Sequence, residues 1–192
     1  PFMNLEAAIP LSLWESTSPT DTRATVFPVS TPFGKATAAL ADEALVWFGF
    51  GQRSTTEFRR DWPGEVVAAS SCPEGMAEQM RALLLGESAL PIRPVGTPFQ
   101  LLTWQMLLAI PFGATLSYRE LAERIGSARY TRAVARSIAR NPVSWIIPCH
   151  RVVPETPGKG GYRWGRNRKN RLLHWEKEAD NVAEAIRRLK LS

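Results

Sequence analysis

The chain has 192 residues, 44% of them hydrophobic and seven of them Trp, which excludes a disordered chain and fits one large packed unit or two small ones. No stretch reaches the roughly 20 apolar residues of a membrane-spanning helix, and the N-terminal residues lack a signal peptide's charged-then-apolar order, so a cytoplasmic protein with no membrane partner is expected. The net charge of +6 is uneven: Arg119–Arg171 holds thirteen Lys and Arg against three Glu, an excess of ten, which leaves about −4 elsewhere and suits a polyanion partner or, equally, a solvated basic face.

Residues 1–23, rich in Pro, Ser and Thr, read as an irregular lead-in. Ala24–Ser30, Lys35–Ala41 and Ala44–Phe50 follow as three short strands, with Thr31-Pro32-Phe33-Gly34 and Asp42-Glu43 as the turns of a β-meander. Pro73 at the first helical position opens a helix over Glu74–Leu85 that Gly86 ends, completing a small α+β unit over residues 24–90. Residues 91–98, with Pro91, Pro94 and Pro98, read as a linker.

Residues 99–192 read as helical. Thr97 caps a helix carrying Leu101, Leu102, Trp104, Leu107 and Leu108 at helical spacing, and Pro111-Phe112-Gly113 breaks it. Ser117 caps Tyr118–Ile125, Gly126-Ser127 turns the chain, and Tyr130–Arg140 forms the second arm of a helix-turn-helix. That arm is unusual. Thr131, Ala133, Ala135 and Ala139 are small, so its backbone can approach a partner closely, while Arg132, Arg136 and Arg140 recur at i, i+4, i+8 and suit phosphate or groove contacts; a solvated Arg stripe fits the same spacing. A last amphipathic helix over Arg168–Leu189 is expected to pack through Leu172, Leu173, Trp175, Ala179, Val182 and Ile186.

The chemistry concentrates in residues 141–153. An apolar run ends in Pro148-Cys149-His150-Arg151, placing a thiol beside an imidazole and a guanidinium, whose positive charge is expected to lower the thiol pKa and supply thiolate. For a bare Cys-His pair, a structural cysteine fits as well. Cys72 reads as a buried or partly buried hydrophobe. With two Cys, two His and no C-x-x-C, a four-ligand zinc site is not expected, nor is any cofactor.

Ile147-Pro148-Cys149-His150-Arg151-Val152-Val153, with Gly161-Tyr162-Arg163-Trp164-Gly165 and then Arg168-Lys169, resembles the O6-alkylguanine-DNA alkyltransferases. The likeness runs from Ala24 to Glu176 and is densest over Phe99–Trp175; the second segment looks most like the alkyltransferase half of the bacterial adaptive-response regulators. The resemblance implies a ribonuclease H-like N-terminal unit. It also implies an enzyme of direct-reversal DNA repair that transfers a methyl or other alkyl group from O6-alkylguanine to itself once, and leaves O4-alkylthymine open as a second substrate.

The resemblance implies the following roles by position: Cys149 as the acceptor and His150 as the base, acting through a bridging water and oriented by Glu176. Tyr118 faces N3 of the guanine, the backbone N–H of Arg163 faces O6, and the carbonyls of Cys149 and Val152 accept from the exocyclic amine. Asn141 is the hinge behind the active-site loop. Arg132 is the finger that fills the stack when the nucleotide flips. Thr131, Ala133 and Ala135 line the minor groove, and Arg136, Arg140 and Arg151 complete the DNA contacts. Tyr162, Arg163, Trp164 and Val152 shape the pocket, with Trp164 narrowing it so that methyl is preferred over benzyl. The partner is double-stranded DNA bound without sequence preference by a monomer, on the nucleoid. A non-catalytic binder of alkylated DNA, a helix-turn-helix regulator and a cysteine hydrolase are the alternatives; retention of Cys149, His150 and Glu176 disfavours the first, the small-residue helix the second and the basic segment the third.

Overall fold

The three expected strands form as β1 (Ala24–Thr31), β2 (Gly34–Ala41) and β3 (Ala44–Phe50), an antiparallel meander. The computed structural model describes residues 22–51, 53–87, 90–156, 161–179 and 181–192, so all of the expected lead-in except Thr22 and Arg23 lies outside the described residues. Thr31 closes the first turn, its Oγ1 donating to the Gly34 carbonyl at 2.7 Å and accepting from Phe33 N–H at 3.1 Å. In the second turn Asp42 and Glu43 both have positive φ, 46° and 59°, the backbone of a tight hairpin whose twist matches its strands. All seven residues of β3 are buried, so it shows no polar alternation: both of its faces are covered.

Two elements of the N-terminal unit were not foreseen. α1 (Ser54–Asp61) leads from β3 to β4 (Val66–Ala68), which pairs parallel with β1 and gives the order β3-β2-β1-β4. α1 has no side-chain cap and anchors chiefly through Phe58, against which Trp62 lies at 5.3 Å just beyond the helix end; β4 is too short to show a period. α2 (Met76–Leu85) ends at Gly86 with φ 74°, as expected, but starts two residues late. Gly75, also at φ 74°, interrupts any helix begun at Glu74, and Pro73 belongs to the preceding turn, its carbonyl accepting from Met76 N–H.

The expected linker is a paired strand edge. Leu45 N–H donates to Pro91 O at 2.8 Å, Arg93 N–H donates to Leu45 O at 2.9 Å, and Ile92 between them is fully buried. Further along the same edge, Phe48 N–H donates to Pro142 O at 2.9 Å and Ser144 N–H donates to Phe48 O at 2.8 Å. β3 thus seats the segment that carries the candidate nucleophile.

α3 (Pro98–Leu108) starts in a capping box in which Thr97 and Gln100 satisfy each other's backbone N–H. α4 (Tyr118–Ile125) starts in a second box made by Ser117 and Glu120, and after Gly126 one 3-10 turn (Ala128–Tyr130) leads into α5 (Thr131–Ala139), completing the helix-turn-helix. The indole N–H of Trp104 donates to Ser137 O at 2.8 Å and ties α3 to α5. β5 (Leu116–Ser117) pairs parallel with β6 (Val152–Val153). The expected last helix is two: α6 (Arg166–Glu178) and α7 (Val182–Arg187). Asn181 makes the break: its side chain accepts from Glu184 N–H at 3.0 Å and starts a new helix, which lets Leu189 and Leu191 bury, while Val182, expected inside, is 38% exposed. Among the described residues no helix is long and apolar enough to cross a membrane.

Candidate active site

α5 delivers the chain to Asn141, which is 2% exposed and acts as a splint. Its Nδ2 donates to Ile147 O at 2.9 Å and its Oδ1 accepts from Val143 N–H at 3.0 Å, bridging both ends of the apolar run. Inside the run Trp145 has φ 70°, a region bulky residues rarely adopt. Packing holds it there: its ring meets Phe33 at 5.3 Å, Phe48 at 6.0 Å and Trp175 at 6.4 Å. After Pro148 a single 3-10 turn, Cys149–Arg151, carries both Cys149 and His150 into the interior.

Glu176 of α6 is where that turn is secured. His150 Nε2 lies 2.8 Å from Oε1; Arg151 donates from Nε and Nη2 at 3.0–3.2 Å, and Gly113 N–H donates to Oε2 at 3.1 Å. Gly113, at φ 76°, turns the Pro111-Phe112-Gly113 breaker so that this N–H faces the carboxylate. Burial alone would raise the Glu176 pKa, but His150 and Arg151 outweigh it and bring it to about 2. Burial also lowers His150, more than Glu176 raises it, so the imidazole is neutral at pH 7. A neutral ring that donates Nε2–H to Glu176 keeps a lone pair on Nδ1, and Nδ1 is buried with no hydrogen-bond partner among the described residues.

Arg151 was expected on DNA. It is instead spent inside the protein, since beyond its bonds to Glu176 its Nη1 donates to Ile110 O at 2.6 Å and the guanidinium sits 5.5 Å from the Phe112 ring. The two ends of the Pro111-Phe112-Gly113 break and α6 are thereby pinned together.

The thiol differs from its sequence expectation. Cys149 is 4% exposed, and burial raises its pKa more than Asn141, Ser144, Tyr162 and the charge of Lys169 together lower it. Cys149 therefore rests as a thiol, because desolvation of the sulfur dominates in a nearly closed site. The cation beside it is Lys169, buried on α6, whose Nζ donates to Val152 O at 2.6 Å. Lys169 and Ser144 were missed. The first sits at i, i+3, i+7 with Leu172 and Glu176, one helix face; the second is the polar residue inside an apolar run, 0% exposed.

A cavity of about 540 Å³ opens on Cys149, walled by Tyr118 of α4, by Ala135, Ile138 and Ala139 of α5, and by Tyr162, Arg163 and Trp164 of the following loop. Its size and mostly apolar wall suit a small planar ligand. Burial, then the nearby sulfur, raises the Tyr118 pKa, so its hydroxyl stays a donor. Val152 was expected in this wall. Its side chain is fully buried in β6 outside the cavity, and its carbonyl is engaged by Lys169. Trp164 is fixed by Trp47 at 6.0 Å, and a Cβ on Gly49 would fall 2.6 Å from its ring, so only glycine fits there. Arg163 stacks on Trp164 at 4.7 Å and pairs with Glu57 of α1 at 2.5 Å, a link from the unforeseen helix to the cavity wall.

On α5, Arg132, Arg136 and Arg140 are exposed, Thr131, Ala133 and Ala135 are partly buried, and Val134, Ser137 and Ile138 face inward. Ala135 and Ala139 belong to the cavity, so the small-residue face serves the pocket as well as the surface. The basic excess is only partly on the surface. Besides Arg151, Arg163 and Lys169, part-buried Arg168 donates to Phe33 O and Trp164 O, and Arg171, though exposed, donates to Pro32 O; the Pro32 and Phe33 bonds hold α6 to the β1–β2 turn. His174, 71% exposed, pairs with Glu178, and Cys72 is partly buried with its thiol pKa raised by burial. Among the described residues no group of His, Cys, Asp and Glu is arranged to hold a metal ion.

Residues 98–178 match the family model described as 6-O-methylguanine DNA methyltransferase, DNA binding domain. The methylated-DNA–protein-cysteine methyltransferase of Mycobacterium bovis is 35% identical over 154 residues, 78% of this chain and 90% of that protein. The bifunctional transcriptional activator/DNA repair enzyme Ada of Escherichia coli is 49% identical over 89 residues, 46% of this chain and 25% of Ada, so the chain spans only about a quarter of that relative's length. The crystal structure of Mycobacterium tuberculosis O6-methylguanine methyltransferase is similar with a TM-score of 0.65 at 30% identity, over 82% of this chain and 95% of that one. The structure of the Mycobacterium tuberculosis protein in complex with DNA is similar to the same degree, with a TM-score of 0.65 at 29% identity, over 84% and 98%.

Proposed function

The chain belongs to the methylated-DNA–protein-cysteine methyltransferases, and from that premise we propose that it repairs O6-alkylguanine in double-stranded DNA by a single, irreversible transfer to Cys149. One observation carries this: a buried, ionised Glu176 holds a neutral His150 one residue from a thiol that forms the wall of a nucleobase-sized cavity. With the alkylated guanine flipped into the cavity, the Cys149 proton passes by way of a water to His150 Nδ1, and Glu176 stabilises the imidazolium. The sulfur attacks the alkyl carbon, the C–S bond forms as the C–O6 bond breaks, and the electron pair moves into the base. Tyr118 passes its phenolic proton to N3 while the Arg163 backbone N–H donates a hydrogen bond to O6, so guanine leaves neutral, and the proton taken up by His150 returns through water to the Tyr118 oxygen. The thioether that results is a poor leaving group toward water, which ends activity after one turnover.

Arg132 enters the stack behind the flipped nucleotide. Thr131, Ala133 and Ala135 allow close approach to the minor groove, and Arg136 and Arg140 take phosphates. Residues 24–90 form the supporting unit and 99–192 the DNA-binding and transferring unit of a monomer, working in the cytoplasm on the nucleoid. The test is incubation with a duplex carrying O6-methylguanine, then intact-mass and peptide analysis. A gain of about 14 Da, one CH2 by mass arithmetic on the acceptor sulfur, is expected on Cys149, and none in Cys149→Ala, which still binds DNA. Binding with no mass gain in the unaltered protein would mean a non-catalytic recognition protein.

Trp164 limits the alkyl range, because its ring cannot swing away from Trp47 and Gly49. Transfer of benzyl is expected to be slower than transfer of methyl, and Trp164→Leu to raise the benzyl-to-methyl rate ratio about tenfold, within the range of a changed apolar contact. Equal ratios in the two proteins would remove Trp164 as the filter.

A further inference from the structure

We propose that Ser144 and Tyr162 form a hydroxyl pair that donates to the Cys149 sulfur, a second means of stabilising thiolate apart from the Glu176–His150 line. The proposal rests on Cys149 being the nucleophile. Ser144 Oγ lies 3.9 Å from Cys149 Sγ and 2.9 Å from Tyr162 Oη. Ser144 is fully buried in the run Val143-Ser144-Trp145-Ile146-Ile147, where a hydroxyl is costly unless it is bonded. Its backbone is already satisfied, the N–H by Phe48 O and the carbonyl by Ile146 N–H, which leaves the side chain to Tyr162 and the sulfur.

Each hydroxyl carries one proton and can both donate and accept. While Cys149 is a thiol, its S–H can donate to Ser144. Once that proton has left for His150, rotation of the Ser144 O–H turns it onto the sulfur, and Tyr162 donates into Ser144 Oγ. No heavy atom has to move, and a chain of two hydrogen bonds polarises toward the charge. Tyr162 stays protonated throughout, because burial and then the neighbouring sulfur hold its pKa well above the ordinary phenol value. The other groups acting on the sulfur are Asn141 and Lys169 of α6, with Tyr118 of α4 raised in turn by the sulfur; His150, one residue on, is held by Glu176 with Arg151 beside it, and all are left in place by a change at Ser144.

The test compares the unaltered protein with Ser144→Ala, Tyr162→Phe and the double variant, each shown to be folded by thermal denaturation. Two pH profiles are measured: iodoacetamide alkylation of Cys149 without DNA, and methyl transfer from O6-methylguanine duplex. In Ser144→Ala both midpoints are expected to move up by about one pH unit, a tenfold loss of thiolate at a given pH, which is the size of a lost hydrogen bond to a charged atom. Duplex affinity should not change. The double variant should shift by less than the two single shifts together, as members of one chain do. Single variants whose midpoints match the unaltered protein overturn the proposal. Tyr162→Phe removes one oxygen only and carries the test if Ser144→Ala does not fold. If the unaltered protein takes up iodoacetamide but no methyl from DNA, the repair function fails while the iodoacetamide profile still decides on the hydroxyl pair.

Discussion

Glu176→Gln is expected to lose methyl transfer by a factor of about 10²–10⁴ and to unfold more readily by about 3–5 kcal/mol. Gln has the shape of Glu but offers one acceptor and one donor group. The carboxylate it replaces accepts from Arg151, from Gly113 N–H and from His150. A carboxamide therefore meets N–H with N–H on one side and leaves the Arg151 charge buried without its counter-ion. The imidazole loses both its orientation and the charge that would stabilise its protonated form, so the base weakens as the fold does. Single-turnover transfer and urea denaturation at pH 7 measure the two effects. Full activity with the expected loss of stability would reduce Glu176 to a structural anchor.

The same group fixes the behaviour in acid. Glu176 titrates near 2 in the folded protein, below its ordinary value of 4.5, so its contribution is complete above pH 4.5 and disappears as pH falls toward 2. His150 is also lowered, from 6.5, and an imidazole buried neutral stabilises the fold above pH 6.5 and loses that contribution below it. Stability of the unaltered protein should begin to decline below pH 6.5 and fall further below 4.5; Glu176→Gln should lack the second decline. Because His150 remains neutral under 6.5, the acid limb of methyl transfer also lies below that pH.

What was legible in the sequence was whatever local chemistry determines. Thr97 and Ser117 cap their helices as expected, Gly86 ends α2, and the meander lies within a residue of its expected limits. α1 escaped because it carries no capping side chain, and β4 because three residues show no period. The supposed linker has the prolines of one, yet Ile92 is buried against β3; a strand edge with room for a partner recruits whatever segment reaches it, and composition does not register that. At the site, the pairing of His150 with Glu176 and the splint made by Asn141 came from resemblance and stand in the geometry as expected. The thiol did not. Adjacent His and Arg in a sequence suggest a low pKa, but Arg151 faces Glu176, and how deeply a sulfur is buried is a property of the whole fold. The basic segment pointed to nucleic acid but overstated how many cations are free for it, since five of them bond within the protein.

One of those five supports the last prediction. Lys169→Met is expected to slow methyl transfer about ten- to a hundredfold while leaving thermal stability equal or higher. Lys169 is 7% exposed; burial lowers its pKa, the nearby sulfur opposes that, and its ammonium donates to Val152 O at 2.6 Å. A buried charge with one neutral acceptor is a poor contributor to stability, and an apolar chain of like length removes its desolvation cost at the expense of one hydrogen bond. The reaction needs the charge for a different reason. The sulfur must become anionic inside a site that disfavours anions, and Lys169 is the cation whose field favours thiolate there. In a low-dielectric interior that field is strong and, being fixed by β6 and α6, requires no reorganisation when the proton leaves. Removing it should raise the Cys149 pKa and shift the transfer profile to higher pH, with duplex affinity unchanged. A variant that is less stable and equally fast would invert the assignment, making Lys169 a strut between β6 and α6; a variant more stable and slower identifies a residue whose stability cost is retained for the chemistry.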